Sequence, residues 1–158
     1  MSLHRLTSIT LGVPDVHAST AFFHDFGLTG TGMLSTRDGG AQLELVPSPR
    51  RSLQRLGVGT DDADDLGRIA GRVERSGLGS IVEATGDRLA IAEPVTGLLV
   101  EVTEADPYDV RATPHTFNRP GVNERFDVPA ESVLTADPVW PSNLTHVVYG
   151  TPDQPTTR

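Results

Sequence analysis

Cysteine is absent from this sequence of 158 residues. Its absence excludes disulfide bonds, metal sites made of thiolates and a cysteine nucleophile. A chain without disulfides suits a reducing compartment, so we expect a cytoplasmic protein.

Long apolar runs and long basic runs are missing as well. No apolar stretch approaches the ~20 residues that a membrane-spanning helix needs, and the N-terminus lacks the apolar core of a signal peptide. The net charge is −8 and the pI is about 4.9. An acidic chain argues against nucleic acids and anionic membrane surfaces as partners. The pair Arg50-Arg51 predicts a solvated turn rather than a basic patch.

What the sequence does contain is an ordinary globular composition and an internal repeat. Apolar residues make up 37% of the chain and charged residues 22%, and the length allows one domain with a sizeable core. Residues 6–15 and 144–153 share the pattern L-T-x-[IV]-[TV]-x-G-x-P-D, which is a short apolar strand, a glycine and a Pro-Asp turn. A related segment covers residues 53–62. Three such starts indicate a repeated structural module.

The first start is followed by a helix and two strands. The predicted elements are a strand over 6–13, a helix over 16–26, and strands over 31–36 and 41–46. Asp15 has the position and side chain of a helix N-cap. Ala18, Phe22 and Phe26 recur at a spacing of four residues, which places them on one apolar face of this helix.

The second start is followed by a helix and three strands. The predicted elements are a strand over 52–60, a helix that ends at 76, and strands over 80–84, 88–92 and 98–103. Leu66, Ile69 and Val73 form the apolar stripe of the helix, and Thr60 or Asp61 is the expected N-cap. The pattern predicts an α+β fold of paired βαβββ modules that share a curled mixed sheet, with the helices on its outer face.

The rest of the chain breaks this pattern. We assign residues 1–104 to a two-module domain, with modules at about 4–50 and 51–104. Residues 105–141 are rich in proline and form a predicted linker. Residues 142–158 hold the first strand of a further module, which is incomplete as it stands. Because an unpaired strand is an open edge, it favours pairing with another chain in a homodimer or larger homo-oligomer.

Paired modules of this kind, with a Pro-Asp turn after the first strand, resemble the vicinal oxygen chelate superfamily. That superfamily includes glyoxalase I, bleomycin-resistance proteins, fosfomycin-resistance proteins and type I extradiol dioxygenases. The resemblance covers residues 4–104 and restarts at 142. Phe22-Phe23 near the middle of the helix is typical of it. The segment Pro94-x-x-Gly97-x-x-x-Glu101 is similar to the superfamily's "DPxGxxxE" ending, with Glu93 where Asp is usual.

The resemblance implies a metal in a cup formed by two modules, with ligands from the first strand of each module and from the last strand. Carried over by position, the residues that line this cup are Ser8, Arg55 and Glu101. Glu101 alone keeps the chemistry of a ligand, and the permanent cation of Arg55 repels a metal. The resemblance therefore implies a first cup without metal. The alternative for Glu101 is a salt bridge to Arg55.

Among these relatives, the chain is most like the N-terminal domain of a type I extradiol dioxygenase, whose metal lies in the C-terminal domain. His146 stands at the position of the first metal ligand of that domain. A second His and a Glu would lie beyond residue 158. The resemblance then implies Fe(II) or Mn(II), with open positions for a catecholate and O₂. The alternative for a lone histidine on a strand is a surface or satisfied core residue.

These observations leave two functions open. One is the N-terminal part of a metal-dependent dioxygenase that cleaves catechol rings. The other is a non-catalytic protein of the bleomycin-resistance type, in which Arg55 and Glu101 contact an antibiotic in the cup. In both, the partner is a small aromatic or antibiotic molecule. A glyoxalase-type or epimerase-type lyase would need metal ligands in the first cup, and Ser8 and Arg55 argue against that.

Overall fold

Seven strands and two helices occupy the residues that the computed structural model describes, which are 3–77, 79–107, 120–122 and 140–153. The elements are β1 Leu3–Val13, α1 Val16–Asp25, β2 Met33–Thr36, β3 Gly40–Pro47, β4 Ser52–Thr60, α2 Ala63–Ser76, β5 Ser80–Ala84, β6 Arg88–Ala92 and β7 Leu99–Glu104. Neither helix of these described residues is both long and apolar enough to cross a bilayer. Most of the predicted linker lies outside the described residues.

The strands form one mixed sheet in the order β2-β3-β1-β4-β7-β6-β5. In each half, the first strand runs parallel to the last: β1 pairs with β3, and β4 pairs with β7. The two halves meet where β1 pairs antiparallel with β4. This arrangement confirms the α+β fold of two modules that share one sheet.

The first module has three strands in the described structure, one fewer than the second. An isolated bridge joins Thr29, upstream of β2, to Ser35 within β2. Gly27, Gly30 and Gly32 flank Thr29, with φ of 103°, 107° and 81°. Positive φ is incompatible with an extended strand, so this stretch does not continue the ladder.

Two clusters of buried apolar side chains form the core, one for each module. The first cluster contains Ile9, Val13, Leu28, Leu34, Leu43 and Leu45. The second contains Leu66, Ile69, Leu89 and Val102. Each helix therefore covers the sheet of its own module.

Helix α1 begins as predicted, but its apolar face is not where the spacing placed it. The Asp15 carboxylate accepts a hydrogen bond from the Ala18 N–H at 2.9 Å, as an N-cap does. Phe22 and Phe26 are 61% and 59% exposed, whereas Phe23 packs against the first core cluster. The prediction was wrong about which face of the helix is buried. Phe22, Phe23 and Phe26 are all apolar, so their spacing does not show which of them faces the core.

Helix α2 is capped by Asp62, not by Thr60 or Asp61. The Asp62 carboxylate accepts from the Asp65 N–H at 2.8 Å. Thr60 is fully buried and donates its hydroxyl to the Asp65 carboxylate at 3.2 Å. The Thr60 side chain therefore bonds a side chain of the first helical turn. Asp62, the acidic residue next to the helix, is the N-cap.

The strand that was predicted at 144–150 is not formed. Residues 140–153 have no regular secondary structure, although Leu144 packs against the first core cluster. The carbonyls of Pro141 and Ser142 accept bonds from the backbone of the β2–β3 turn, and the Leu144 N–H donates to the side chain of Gln42. A strand needs a neighbouring backbone to pair with, and here the backbone groups of Pro141, Ser142 and Leu144 are bonded to the β2–β3 turn and to Gln42. The prediction of a homo-oligomer depended on an open strand at 144–150, and residues 140–153 contain no strand.

Candidate functional site

The centre of the sheet has one apolar face and one polar face. Ile9 on β1 and Val102 on β7 belong to the core clusters under the helices. Because side chains alternate along a strand, Ser8 and Glu101 point to the opposite side. Arg55 likewise precedes Leu56, which packs against the core. We call the side formed by Ser8, Arg55, Arg88 and Glu101 the polar face.

The three residues predicted to line a cup thus lie on three adjacent strands. Ser8 pairs with Gly57, and Gly57 pairs with Glu101, so one row crosses β1, β4 and β7. Arg55 lies two residues before Gly57 on the same side of β4. The structure brings Arg55 and Glu101 into contact, with Nε and Oε1 3.4 Å apart.

Glu101 is held by a second guanidinium that the sequence analysis did not identify. Arg88 on β6 bonds the same carboxylate oxygen of Glu101 through Nη2, and its Nη1 lies 3.5 Å from Glu83. The Glu101 side chain is 15% exposed. Two cations therefore neutralise one half-buried carboxylate, and the salt bridge considered from the sequence is present.

Arg88 was missed because it directly follows a turn, where arginine is ordinary. The signal lies in the β6–β7 hairpin, where Arg88 pairs with Thr103. Thr103 is two residues after Glu101, so Arg88 is a diagonal neighbour of that carboxylate. The register of the β6–β7 hairpin indicates this contact, whereas no sequence motif includes Arg88.

Gly57 makes room for the hydroxyl groups of β1 beside this cluster. A Cβ at Gly57 would lie 2.4 Å from the Ser8 Oγ and 2.6 Å from the Thr7 Oγ1. Both distances are shorter than real Cβ contacts, so an alanine here would force the two hydroxyl groups to move. The Ser8 hydroxyl thus lies over β4, in the row that ends at Glu101.

The polar face does not fit a metal ion. The described residues contain no group of three His, Asp or Glu side chains placed to hold one. Glu101 is the single carboxylate at a predicted ligand position, and two guanidinium groups occupy it. A divalent ion would have to displace both, against their positive charge.

His146 lies apart from this cluster. It is exposed, and its Nδ1 is 2.9 Å from the Thr145 hydroxyl. Within the described residues, no hydrogen bond or ion pair joins it to the polar face. The structure therefore brings together Arg55 and Glu101, but not His146.

Glu93, which directly precedes the turn at Pro94, has a local structural role. Its carboxylate accepts from the Val95 N–H at 3.0 Å and from the Thr96 N–H at 2.6 Å. Its backbone carbonyl accepts from Gly97, whose φ is 75°. Burial and then the negative charge of Glu93 raise the pKa of Tyr149. The acidic residue thus closes the turn before β7.

No protein-family profile and no curated protein matches this sequence. The fold is similar to that of the Mn(II)-bound glyoxalase from Novosphingobium aromaticivorans, with a TM-score of 0.55 and 18% identity over 72% of this chain and 42% of that chain. It is also similar to a mutant of homoprotocatechuate 2,3-dioxygenase from Brevibacterium fuscum, with a TM-score of 0.51 and 18% identity over 70% and 34% of the two chains. An extradiol ring-cleaving dioxygenase from B. fuscum gives a TM-score of 0.51 and 19% identity over 70% and 35%.

These similarities show the fold. Glyoxalases and extradiol dioxygenases belong to the vicinal oxygen chelate superfamily, so the fold that the resemblance implied is confirmed. The chain spans less than half the length of each of these neighbours.

Proposed function

We propose that this chain is the metal-free pair of modules of an extradiol-type ring-cleaving dioxygenase. The observation that carries the proposal is the contact of Arg55 and Arg88 with Glu101. Glu101, which stands at the ligand position of the last strand, is engaged in this internal salt bridge. A module pair of this fold that cannot take a metal suits a supporting role beside a catalytic pair.

In this proposal a divalent ion, Fe(II) or Mn(II), is held by a further module and His146 is one of its ligands. The exposed imidazole of His146 is available for such a bond. The other ligands would come from residues outside this sequence. The substrate class is a catechol, whose two adjacent oxygens suit a metal with open positions.

The test starts from the nucleotide sequence after codon 158. The proposal requires that the reading frame continue and encode a further His and a Glu on strands of another module. The extended protein, purified and loaded with Fe(II), should cleave a catechol beside its hydroxyls, which is followed by the absorbance of the ring-opened product. His146→Ala should abolish the activity, and His17→Ala, at another exposed histidine, should leave it intact. A stop codon after 158 would sink the proposal.

The second candidate is an antibiotic-binding protein without catalysis. The observation in its favour is that the Arg55 side chain remains 44% exposed while it pairs with Glu101, so it can contact a ligand on the polar face. Calorimetric titration of the 158-residue chain with a glycopeptide antibiotic tests it. Binding that Arg55→Ala removes and Arg50→Ala retains would favour this candidate over the dioxygenase.

A further inference from the structure

A half-open cleft of about 620 Å³ lies at the end of β1, on the other side of the sheet from the polar face. Leu11 and Val13 line it from β1, and they alternate with Thr10, which shares the side of Ser8. The volume is within the ~300 to 1,000 Å³ that is usual for small-molecule sites. The cleft is therefore large enough for a ligand and separate from the salt-bridge cluster.

The wall of the cleft is aromatic. Phe22 and Phe23 of α1 line it, with ring centroids 5.2 Å apart in an edge-to-face arrangement at 77°. Phe22 also stacks on Phe26 at 6.3 Å and 11°. Exposing Phe22 to water is unfavourable, so a ligand that covers this ring gains apolar burial. An aromatic ligand also gains ring contacts, because aromatic pairs are more favourable than their area alone predicts.

The polar groups at the rim select the charge of the ligand. Asp15 lines the cleft, but its carboxylate is bonded to the Ala18 N–H at the positive end of α1. Arg51 also lines the cleft and is exposed. Within the described residues, Arg51 makes no salt bridge. Its guanidinium is therefore the free charge at the rim, and it matches a carboxylate geometrically.

From the aromatic wall and the free guanidinium, we infer that this cleft binds a small aromatic carboxylate. The ring lies against Phe22 and Phe23, and the carboxylate accepts hydrogen bonds from Arg51. The cleft involves none of the residues assigned to ring cleavage, so the inference goes beyond the proposed function and is tested without it.

The test is equilibrium binding of 1-naphthaleneacetate and of its neutral amide, 1-naphthaleneacetamide, to the 158-residue chain by calorimetry. The acid should bind about tenfold more tightly than the amide, because a hydrogen bond to a charged group is worth about one such factor. Arg51→Gln should abolish this preference and leave the affinity for the amide unchanged. The neighbouring exposed residue supplies the control: Arg50→Gln should keep the preference.

A second pair of variants tests the wall. Phe22→Ala should weaken both compounds, whereas Val82→Ala, at an apolar side chain of similar exposure outside the cleft, should weaken neither. Because both side chains are exposed, neither change threatens folding. The inference is overturned if neither compound binds, or if acid and amide bind equally. It is also overturned if sedimentation shows a dimer that Phe22→Ala dissociates, because a second copy would then occupy the cleft.

Discussion

Gln42 binds Leu144 through both ends of its side-chain amide. The Leu144 N–H donates to the Gln42 Oε1 at 2.9 Å, and the Gln42 Nε2 lies 3.4 Å from the Leu144 carbonyl, across 102 positions of sequence. The same amide accepts from the Thr36 hydroxyl at 2.8 Å and donates to the Leu6 carbonyl at 2.9 Å. Gln42 is 3% exposed. The C-terminal segment is therefore fastened to the interior of the first module.

Gln42→Ala should lower the free energy of unfolding by about 1 to 3 kcal/mol, because it leaves buried partners without a hydrogen bond. Urea denaturation measures this loss. Hydrogen exchange at the Leu144 amide should become faster than in the unmodified chain. Gln54, an exposed glutamine on β4, is the matched control, and Gln54→Ala should change neither quantity by a comparable amount. Equal effects at the two positions would contradict this role.

Glu101→Ala should destabilise the chain by about 0.5 to 1 kcal/mol, because the two guanidinium groups that lose their shared carboxylate are 44% and 36% exposed and bind water instead. Double-mutant cycles separate the two pairs. The coupling of Glu101 with Arg88 should exceed its coupling with Arg55, since Arg88 is hydrogen-bonded to the carboxylate and Arg55 lies 3.4 Å away. A larger coupling with Arg55 would show that the polar face is arranged differently.

The stability of the β2–β3 turn should depend on acid through Asp38. Hydrogen bonds from Arg37 and then from Ser142 hold the pKa of this carboxyl below its ordinary value. The stabilisation is complete above the ordinary pKa of about 3.9, and it is lost as the pH falls through the lower pKa of the folded state. Ser142→Ala should move the Asp38 pKa back toward its ordinary value, as NMR titration of the carboxyl carbon would show. An unchanged titration would rule out the bond at 2.6 Å between these side chains.

Two glycines should respond in opposite ways to alanine. Gly57→Ala should destabilise the chain by about 0.5 to 1 kcal/mol, because the new Cβ forces the Ser8 and Thr7 hydroxyl groups to rotate away. Gly67 lies inside α2, and a Cβ there meets nothing within 4 Å. Gly67→Ala should therefore stabilise the chain by about 0.5 to 1 kcal/mol, the difference in helix propensity. Thermal unfolding of both variants decides the two signs.

The elements of this fold could be predicted from local patterns. Leu66 and Ile69 recur at helical spacing, and both are buried against the sheet. Asp15 has the side chain of a cap and bonds as one. The salt bridge of Arg55 with Glu101 was one of two roles considered for Glu101, at positions carried over from the superfamily resemblance, and it is the one that the structure contains. The helix and its cap needed only a local segment, whereas this pair needed the resemblance.

The features that the sequence did not predict depend on tertiary packing and on contacts between separate segments. Spacing alone cannot show that Phe22 faces water, since Phe23 in the same helix has the same chemistry. Arg88 reaches Glu101 through the register of a hairpin, which no sequence motif specifies. Gln42 reads as a polar residue on an alternating strand, yet its partner lies 102 positions away.

The ten-residue pattern shared by 6–15 and 144–153 takes two conformations in this chain. The first copy forms β1, whereas the second copy has no regular structure. The pattern itself is therefore compatible with both conformations. Offered a free strand edge, the copy that contains Leu144 would have to break its two bonds to Gln42 before it could pair.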